Sequence, residues 1–498
     1  MTKKLKMGSK ILFVASEANP FIKVGGLGEV MHSLPKALRK LGYDARVMIP
    51  KYASIDTEKF RLLPELEAIR PQSDDEDPNG LLISNVLKYE EDGRTVAYFL
   101  ENMEYYEKRA NVYGYSDDTL RWILLSFGVL EFIKRSSWKP DIIVSADWQA
   151  GFIPNLLKTV YSEDHILSKI PSIFSIHNLR FQGMFDPQFV SEMNYDAGRQ
   201  VITNLFDPNI PNLNGMRRGI MFADAINTVS PTYSREILTP DFGEKLDELL
   251  KERQTRLFGI LNGIDYESFN PANDQAISAN FSQSNLNNRI KNKLDLQKRF
   301  NLPENEKAFL IGIVSRMDEQ KGFDLITQII NPLFESIDFQ LIVLGDGDNL
   351  YKLFFKDLEK RFPDRVGTHL VFDGALPRMI FAGADAMLVP SKFEPCGLVQ
   401  LEAMRYGAVP IVRKVGGLAD SVVDFNPEDG KGTGFVFEKY DPYSFLISII
   451  RAREAFRDKR LWDKIVKNAM RQDFSWEKSA EEYLKIFSTA HDLHDQKD

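Results

Sequence analysis

The sequence predicts an α/β protein built of two doubly wound domains. Short β-branched runs alternate with helical patterns throughout, as parallel α/β layers require. The chain has 498 residues, which is two or three domains at roughly 100–200 residues each. Its strand candidates fall into two series, each spread over about 200–250 residues, the size of one doubly wound domain.

In the first half the strand candidates are Ile11–Ala15, Arg46–Pro50, Asp141–Ser145, Ser172–Ile176 and Ala225–Val229. Between the first two, Val30, Leu34, Leu38 and Leu41 share one helical face. The basic start followed by Ile11–Ala15 superficially resembles a signal peptide. Its apolar run is shorter than the usual ~7–15 residues and leads into Glu17, so it reads as the first strand. The second series is Phe309–Val314, Phe339–Gly345, His369–Phe372, Asp385–Pro390 and Ala408–Val412. The boundary between them falls at the Gly- and Asn-punctuated stretch Gly259–Asp265. Residues 271–288, rich in Asn, Ser and Ala, read as a surface loop, as does the acidic stretch Ser73–Pro78. Asp492–Asp498 reads as a frayed end.

Hydrophobic residues make up 43% and charged residues 27%, the balance of a globular chain rather than a disordered one. No window approaches the ~18 apolar residues of a membrane helix, so no membrane partner is expected. The single cysteine, Cys396, excludes an intramolecular disulfide and a multi-cysteine zinc site, and points to a reducing cytoplasm. A net charge of −8 argues against a general nucleic-acid binder.

One motif occurs twice: Lys23-Val24-Gly25-Gly26-Leu27-Gly28-Glu29 and Lys414-Val415-Gly416-Gly417-Leu418-Ala419-Asp420. Each copy follows a strand and precedes a helical pattern. Two independent turns explain this, as do two backbone loops that approach a ligand, with helix N-termini offering N–H donors to phosphate. Arg316 and Lys321 lie in the loop after strand Phe309–Val314, where doubly wound folds bind ligands. Two cations there suit a diphosphate, although a solvated loop carries such pairs too. Glu394 precedes a helix opening near Gly397, and Glu402 lies about one turn into it, an E-x7-E spacing. Carboxylates so placed can accept sugar hydroxyls. Chance produces that spacing often; the string Phe393-Glu394-Pro395-Cys396-Gly397-Leu398 after a strand is far more specific.

These motifs resemble, in order and over about Ile11 to Phe487, the family of bacterial glycogen synthases and plant starch synthases: KVGGLGEV, SIHNLRFQG, ADAINTVSPTY, LNGID, SRMDEQKG, PSKFEPCGL, LEAMRYGAVPIVRKVGGLADSV and DFSW. The resemblance implies a GT-B fold, two Rossmann-like domains facing a central cleft. It implies an acceptor-side domain over 1–258, a nucleotide-sugar domain over 259–474, and a helix and tail over 475–498 crossing back. The implied reaction is glucose transfer from ADP-glucose or UDP-glucose to the non-reducing end of an α-1,4-glucan, with retention and with no metal or other cofactor. As implied site residues, Arg316 and Lys321 stabilise the departing diphosphate, helped by backbone N–H groups at Gly26, Gly417 and Leu418. Lys23, Gly25 and Gly416 belong to the same loops. His177 contacts the donor glucose, Asn178 beside it is a substrate-binding residue, Asp147 lies near sugar and acceptor, and Asn262 and Glu394 hold sugar hydroxyls. Glu402 takes the ribose and Phe372 stacks on the base. Cys396, Gly397 and Leu398 line the hexose pocket, Cys396 through its backbone rather than as a nucleophile. Lys392, Ala146, Gln149, Glu29 and Glu402 depart from the commonest family pattern. Two other readings stay open: a retaining GT-B transferase with a small acceptor, and an inactive glucan-binding scaffold.

Overall fold

A computed structural model describes residues 5–71, 77, 79–185 and 196–496. The chain divides into two compact units, one of Met1–Val229, Ser234–Ile260 and Trp476–Asp498, the other of Ser230–Tyr233 and Leu261–Ser475.

The first unit carries β1 (Lys10–Val14), β2 (Asp44–Pro50), β3 (Leu63–Ile69), β4 (Ser84–Glu91), β5 (Arg94–Glu101), β6 (Ile142–Ala146), β7 (Ser172–Ile176), β8 (Ala225–Thr228) and β9 (Leu257–Gly259). They form one sheet in the order β3-β4-β5-β2-β1-β6-β7-β8-β9. The strands from β5 through β9 run parallel, and β4 runs antiparallel to both its neighbours. β6 and β7 are buried along their whole length, as strands covered on both faces must be. Helix Gly26–Lys40 turns Val30, Leu34 and Leu38 into this core. The last helix, Trp476–Asp495, packs on it, with Phe487 edge-on to Phe13 of β1.

The second unit carries β10 (Leu310–Val314), β11 (Gln340–Leu344), β12 (Val366–His369), β13 (Ala386–Val389), β14 (Val409–Arg413) and β15 (Phe435–Phe437). All are parallel, in the order β12-β11-β10-β13-β14-β15. Strands are added outward from β10 in one direction and then from β13 in the other. The switch point therefore lies between β10 and β13, and in the first unit between β1 and β6.

Three expectations need correction. The strand placed at His369–Phe372 is Val366–His369; the apolar Leu370-Val371-Phe372 that suggested it runs off the sheet edge, with Phe372 87% exposed. Residues 271–288 are not merely a surface loop, because Ile277 and Phe281 join the core of the second unit and Asp274 is buried against the Tyr406 hydroxyl. The end is not frayed at Asp492–Asp495: His494 bonds to Asp224 at 3.1 Å and to the Ser168 carbonyl at 3.1 Å, which holds the last turn in place. Asp77 apart, the stretch Ser73–Pro78 lies outside the described residues, as do 497 and 498.

Gly322 joins the β10 loop to the next helix at φ +75°, and a β-carbon there would lie 2.2 Å from the Pro390 carbonyl oxygen at the end of β13. Gly93 has a similar φ of +72° with nothing within 4 Å. Gly93→Ala should therefore cost only the left-handed strain, about 1–2 kcal/mol. Gly322→Ala should cost clearly more, because two strand ends must separate. Urea unfolding of both variants compares them, and equal losses would show that the β10 and β13 ends are not in firm contact.

Candidate functional site

In the first unit the candidate residues gather past the carboxyl ends of β1, β6 and β7. Beyond β1 the chain passes through the buried Glu17 to reach the first glycine motif. The Glu17 carboxylate accepts the backbone N–H groups of Val24 and of Gly25, the latter at 2.9 Å. It also lies 3.3 Å from the Tyr113 hydroxyl, which donates to it. One buried carboxylate thus holds the loop that presents Lys23, Gly25 and Gly26. Lys23 is half exposed and pairs with Glu29 at 3.1 Å.

β6 is followed directly by Asp147, which adopts a left-handed φ of +53°, rare outside glycine. That conformation aims its carboxylate across to β7, where Oδ1 accepts the backbone N–H groups of His177 at 2.7 Å and Asn178 at 3.2 Å. Burial pushes the Asp147 carboxyl up to about 7, with Glu17 adding to the rise and the two N–H groups opposing it. Burial brings His177 down to about 4, so its imidazole is neutral at pH 7, with Nε2 3.0 Å from the Ser175 hydroxyl. At pH 7 the pair therefore offers donors and acceptors from a neutral imidazole and a carboxyl close to its midpoint.

The second unit gathers a charged site past β10 and β13. Lys321 Nζ lies 2.6 Å from Glu394 Oε2 in a pair whose carboxylate side chain is only 8% exposed. Ser391 Oγ donates to the same oxygen at 2.9 Å. The backbone around Glu394 is fixed as well: its carbonyl accepts Gly417 N–H at 3.1 Å, and the Cys396 carbonyl accepts Gln400 Nε2 at 3.1 Å. Gly416, at φ +44°, would place a β-carbon 1.9 Å from the Glu394 carbonyl oxygen, and Gly417 one 2.0 Å from that of Cys396. Cys396 is buried, with its thiol pushed up to about 12 by that burial and the Asn262 backbone N–H directed at it. Such a thiol is no nucleophile at neutral pH. Asn262 Oδ1 is buried without a hydrogen-bond partner among the described residues.

Within the first unit, Asp147, His177 and Asn178 form one hydrogen-bonded cluster, and Lys23, Gly25 and Gly26 share one loop. Within the second, Lys321, Glu394, Cys396, Gly416, Gly417 and Asn262 form another, while Gly397 and Leu398 continue its loop and Glu402 sits in the first turn of helix Val399–Arg405. Arg316 stands apart from Lys321: its side chain is 71% exposed and lies 3.6 Å from Asp318. Phe372 projects into solvent. Two of the three amides expected as diphosphate donors are already engaged, Gly417 N–H with Glu394 and Leu418 N–H with the Val415 carbonyl at 3.1 Å. Sequence reasoning missed Glu17 and Ser391. Nothing local marks Glu17; Ser391, three residues before Glu394, was within reach.

Asp147 and His177 titrate in opposite senses. Native Asp147, raised from 3.8, holds a proton that the unfolded chain has lost, so its contribution falls as pH rises from about 4 to 7. Native His177, lowered from 6.5, lacks a proton that the unfolded chain holds, so its contribution falls as pH drops from about 6.5 to 4. Each is limited to about 1.4 kcal/mol per pH unit, and together they nearly offset. Relative to the parent, Asp147→Asn should become more stable as pH rises from 4.5 to 6.5, and His177→Gln less. Melting temperatures across that range test this, and slopes of the same sign would refute it.

A family model described as the starch synthase catalytic domain matches residues 10–252, and one described as glycosyl transferases group 1 matches 295–471. The glycogen synthase of Clostridium botulinum (strain Alaska E43 / Type E3) is 44% identical over 96% of this chain and 98% of its own. That of Thermotoga maritima is 40% identical over 97% and 99%. The catalytic domain of starch synthase IV from Arabidopsis thaliana, bound to ADP and acarbose, superimposes with a TM-score of 0.82 at 30% identity, covering 97% of this chain and all of that one. Sucrose-phosphate synthase from Thermosynechococcus elongatus, at 17% identity and a TM-score of 0.59 over 96% of this chain and 98% of its own, shares the fold. With two parallel α/β units and full-length relatives of this kind, the chain belongs to the glycogen synthase family of GT-B glycosyltransferases.

Proposed function

We propose that the chain transfers glucose from a nucleotide diphosphate glucose, ADP-glucose first of all, to the non-reducing end of an α-1,4-glucan with retention of configuration, in the cytoplasm. The observation that carries this reading is the Lys321–Glu394 pair at the switch point of the second unit, in a chain of this family. The ADP bound to the starch synthase IV structure supports the choice of base.

Breaking the bond between glucose C1 and the diphosphate oxygen leaves negative charge on the departing ADP. Fixed donors must stabilise it. In the free chain the Lys321 ammonium is held by Glu394; a diphosphate would share it, leaving Glu394 to accept sugar hydroxyls. Exposed Arg316 is free to swing onto the phosphates bidentately. The Gly417 and Leu418 amides must exchange their present acceptors for phosphate oxygens to contribute, while Gly25 and Gly26 keep the first loop open to the ligand. Asn262 Oδ1, buried and unpartnered, suits a glucose hydroxyl. Glu402 is assigned the ribose and Phe372, with its face exposed, the base. Lys23, Asp147, His177 and Asn178 serve the sugar and the acceptor; a neutral His177 donates or accepts a hydrogen bond without acting as a strong base. Cys396, Gly397 and Leu398 line the hexose pocket through backbone.

Incubation with ADP-glucose or UDP-glucose, with and without glycogen, tests the reading. Growth of glycogen chains with release of nucleotide diphosphate is expected. Consumption of donor only with a small acceptor, or no consumption of either donor, would overturn it. Turnover should persist in EDTA, since Lys321 and Arg316 supply the counter-charge; loss in EDTA with recovery in magnesium would contradict that. Lys321→Ala should lower kcat about 10²–10³-fold with a smaller effect on donor KM, the usual cost of one such stabiliser. Lys321→Arg should not fully restore it, because the guanidinium is a broader, flatter donor. Lys321→Ala also strands the buried Glu394, so circular dichroism must accompany the kinetics. A folded variant with near-parent kcat removes Lys321 from the mechanism.

A further inference from the structure

After β8 the chain leaves the first unit at Val229, contributes Ser230–Tyr233 to the second, and returns at Ser234. Two of those four residues, Ser230 and Thr232, bond to the two segments of the candidate donor site. The buried Ser230 hydroxyl donates to the Pro395 carbonyl at 2.7 Å. With the bonds already described, all three successive carbonyls of Glu394, Pro395 and Cys396 then have donors. Thr232 grips the second loop. Its backbone N–H donates to Asp420 Oδ2 at 2.7 Å and its hydroxyl to Oδ1 at 2.7 Å, so one residue satisfies both carboxylate oxygens.

Asp420 lies in helix Gly416–Ser421, whose first turn is pressed against Glu394 and Cys396. Ser421 Oγ, next in sequence, donates to the Gly417 carbonyl at 2.6 Å and accepts from Gln400 Nε2 at 3.1 Å. Residues 394–400 and 416–421 are therefore tied into one hydrogen-bonded block, and Ser230 and Thr232 bond to it at Pro395 and at Asp420. A diphosphate that draws the Gly417 and Leu418 amides away from their present acceptors needs the far end of this short helix to stay fixed. Asp420 is where the helix is held.

We propose that Ser230 and Thr232 are positioning residues for the donor, acting through the Pro395 carbonyl and the Asp420 carboxylate on the loops that receive the nucleotide sugar. The inference rests on the donor reading above. It makes a demand a merely structural contact would not make, that damage falls on donor binding and spares the acceptor.

The test is Thr232→Val in the full chain, with Thr232→Ser and Asp420→Asn beside it. Binding of ADP is measured by calorimetry, and KM separately for ADP-glucose and for glycogen. Thr232→Val should weaken ADP binding and raise donor KM roughly 10-fold, the low end of what loss of a hydrogen bond to a charged group costs. Glycogen KM and melting temperature should stay near the parent's, Thr232→Ser should restore donor KM, and Asp420→Asn should repeat the donor defect. Parent-like ADP binding and donor KM in folded Thr232→Val overturn the proposal. So does an equal rise in both KM values with a falling melting temperature, the mark of general loosening. Should Thr232→Val fail to fold, Ser230→Ala is judged by the same donor-against-acceptor split. A parent protein that binds ADP in neither assay overturns the donor reading itself, and this inference with it.

Discussion

The carbonyl oxygen of Glu394 occupies the place where any residue other than glycine at 416 would carry a β-carbon, 1.9 Å away. Much of the second unit's site depends on that contact. Because the two backbones touch, the helix after β14 starts against the loop after β13, and Gly417 N–H reaches the same carbonyl. A similar approach of Gly322 to Pro390 brings the β10 loop to the β13 loop, and that places Lys321 within 2.6 Å of Glu394. The ion pair is thus a consequence of backbone proximity at the switch point. A long lysine reaching across a looser loop would lose more side-chain entropy to hold the same geometry.

The two units divide the electrostatics. A buried ion pair is costly to assemble and strongly destabilising to break, so on the proposed reading its value is as a charge kept ready for an anionic ligand rather than as a source of stability. In the first unit the titratable pair goes the other way. Asp147 is drawn toward the protonated form and His177 toward the neutral one. Neutral groups with both donors and acceptors suit hydroxyl-rich sugar, whereas fixed cations suit phosphate. On the proposed reading, each unit thus carries the kind of polarity its part of the reaction needs.

How much of this the sequence disclosed varies with burial. β1, β6, β7, β10 and β13 read directly, because strands covered on both faces are nearly unbroken apolar runs. The edge of the first sheet did not: Leu63–Ile69 and Ser84–Glu91 are interrupted by Glu and Lys, and the apolar run of Arg94–Glu101 is bounded by charge at both ends. Asp92-Gly93, both at positive φ, marks the hairpin between β4 and β5 and was the available clue. β12 was displaced because Leu370-Val371-Phe372 is more apolar than Val366-Gly367-Thr368-His369, yet the latter pairs with β11. Among site residues, the motif-borne Lys321 and Glu394 were legible, whereas Glu17 acts on the Val24 and Gly25 amides across a turn and Thr232 on the Asp420 carboxylate far away in sequence, and neither contact leaves a periodicity to read.

The repeated Lys-Val-Gly-Gly-Leu motif shows what such a pattern does and does not specify. Both copies open helices, Gly26–Lys40 and Gly416–Ser421. At Gly25, the counterpart of Gly416, an added β-carbon would meet only Glu17 Oε1, at an ordinary 3.5 Å, and its amide and that of Val24 are held by the Glu17 carboxylate. At Gly416 the same addition collides with a neighbouring carbonyl, and the amide after it is held by backbone. The first loop owes its shape to an ionisable side chain and can relax if that carboxylate is lost. The second owes its shape to main-chain contact, which only a change at the glycines themselves can release. Identical glycines thus mark two backbone approaches, one open and one closed, and the difference lies in residues hundreds of positions away from either motif's twin.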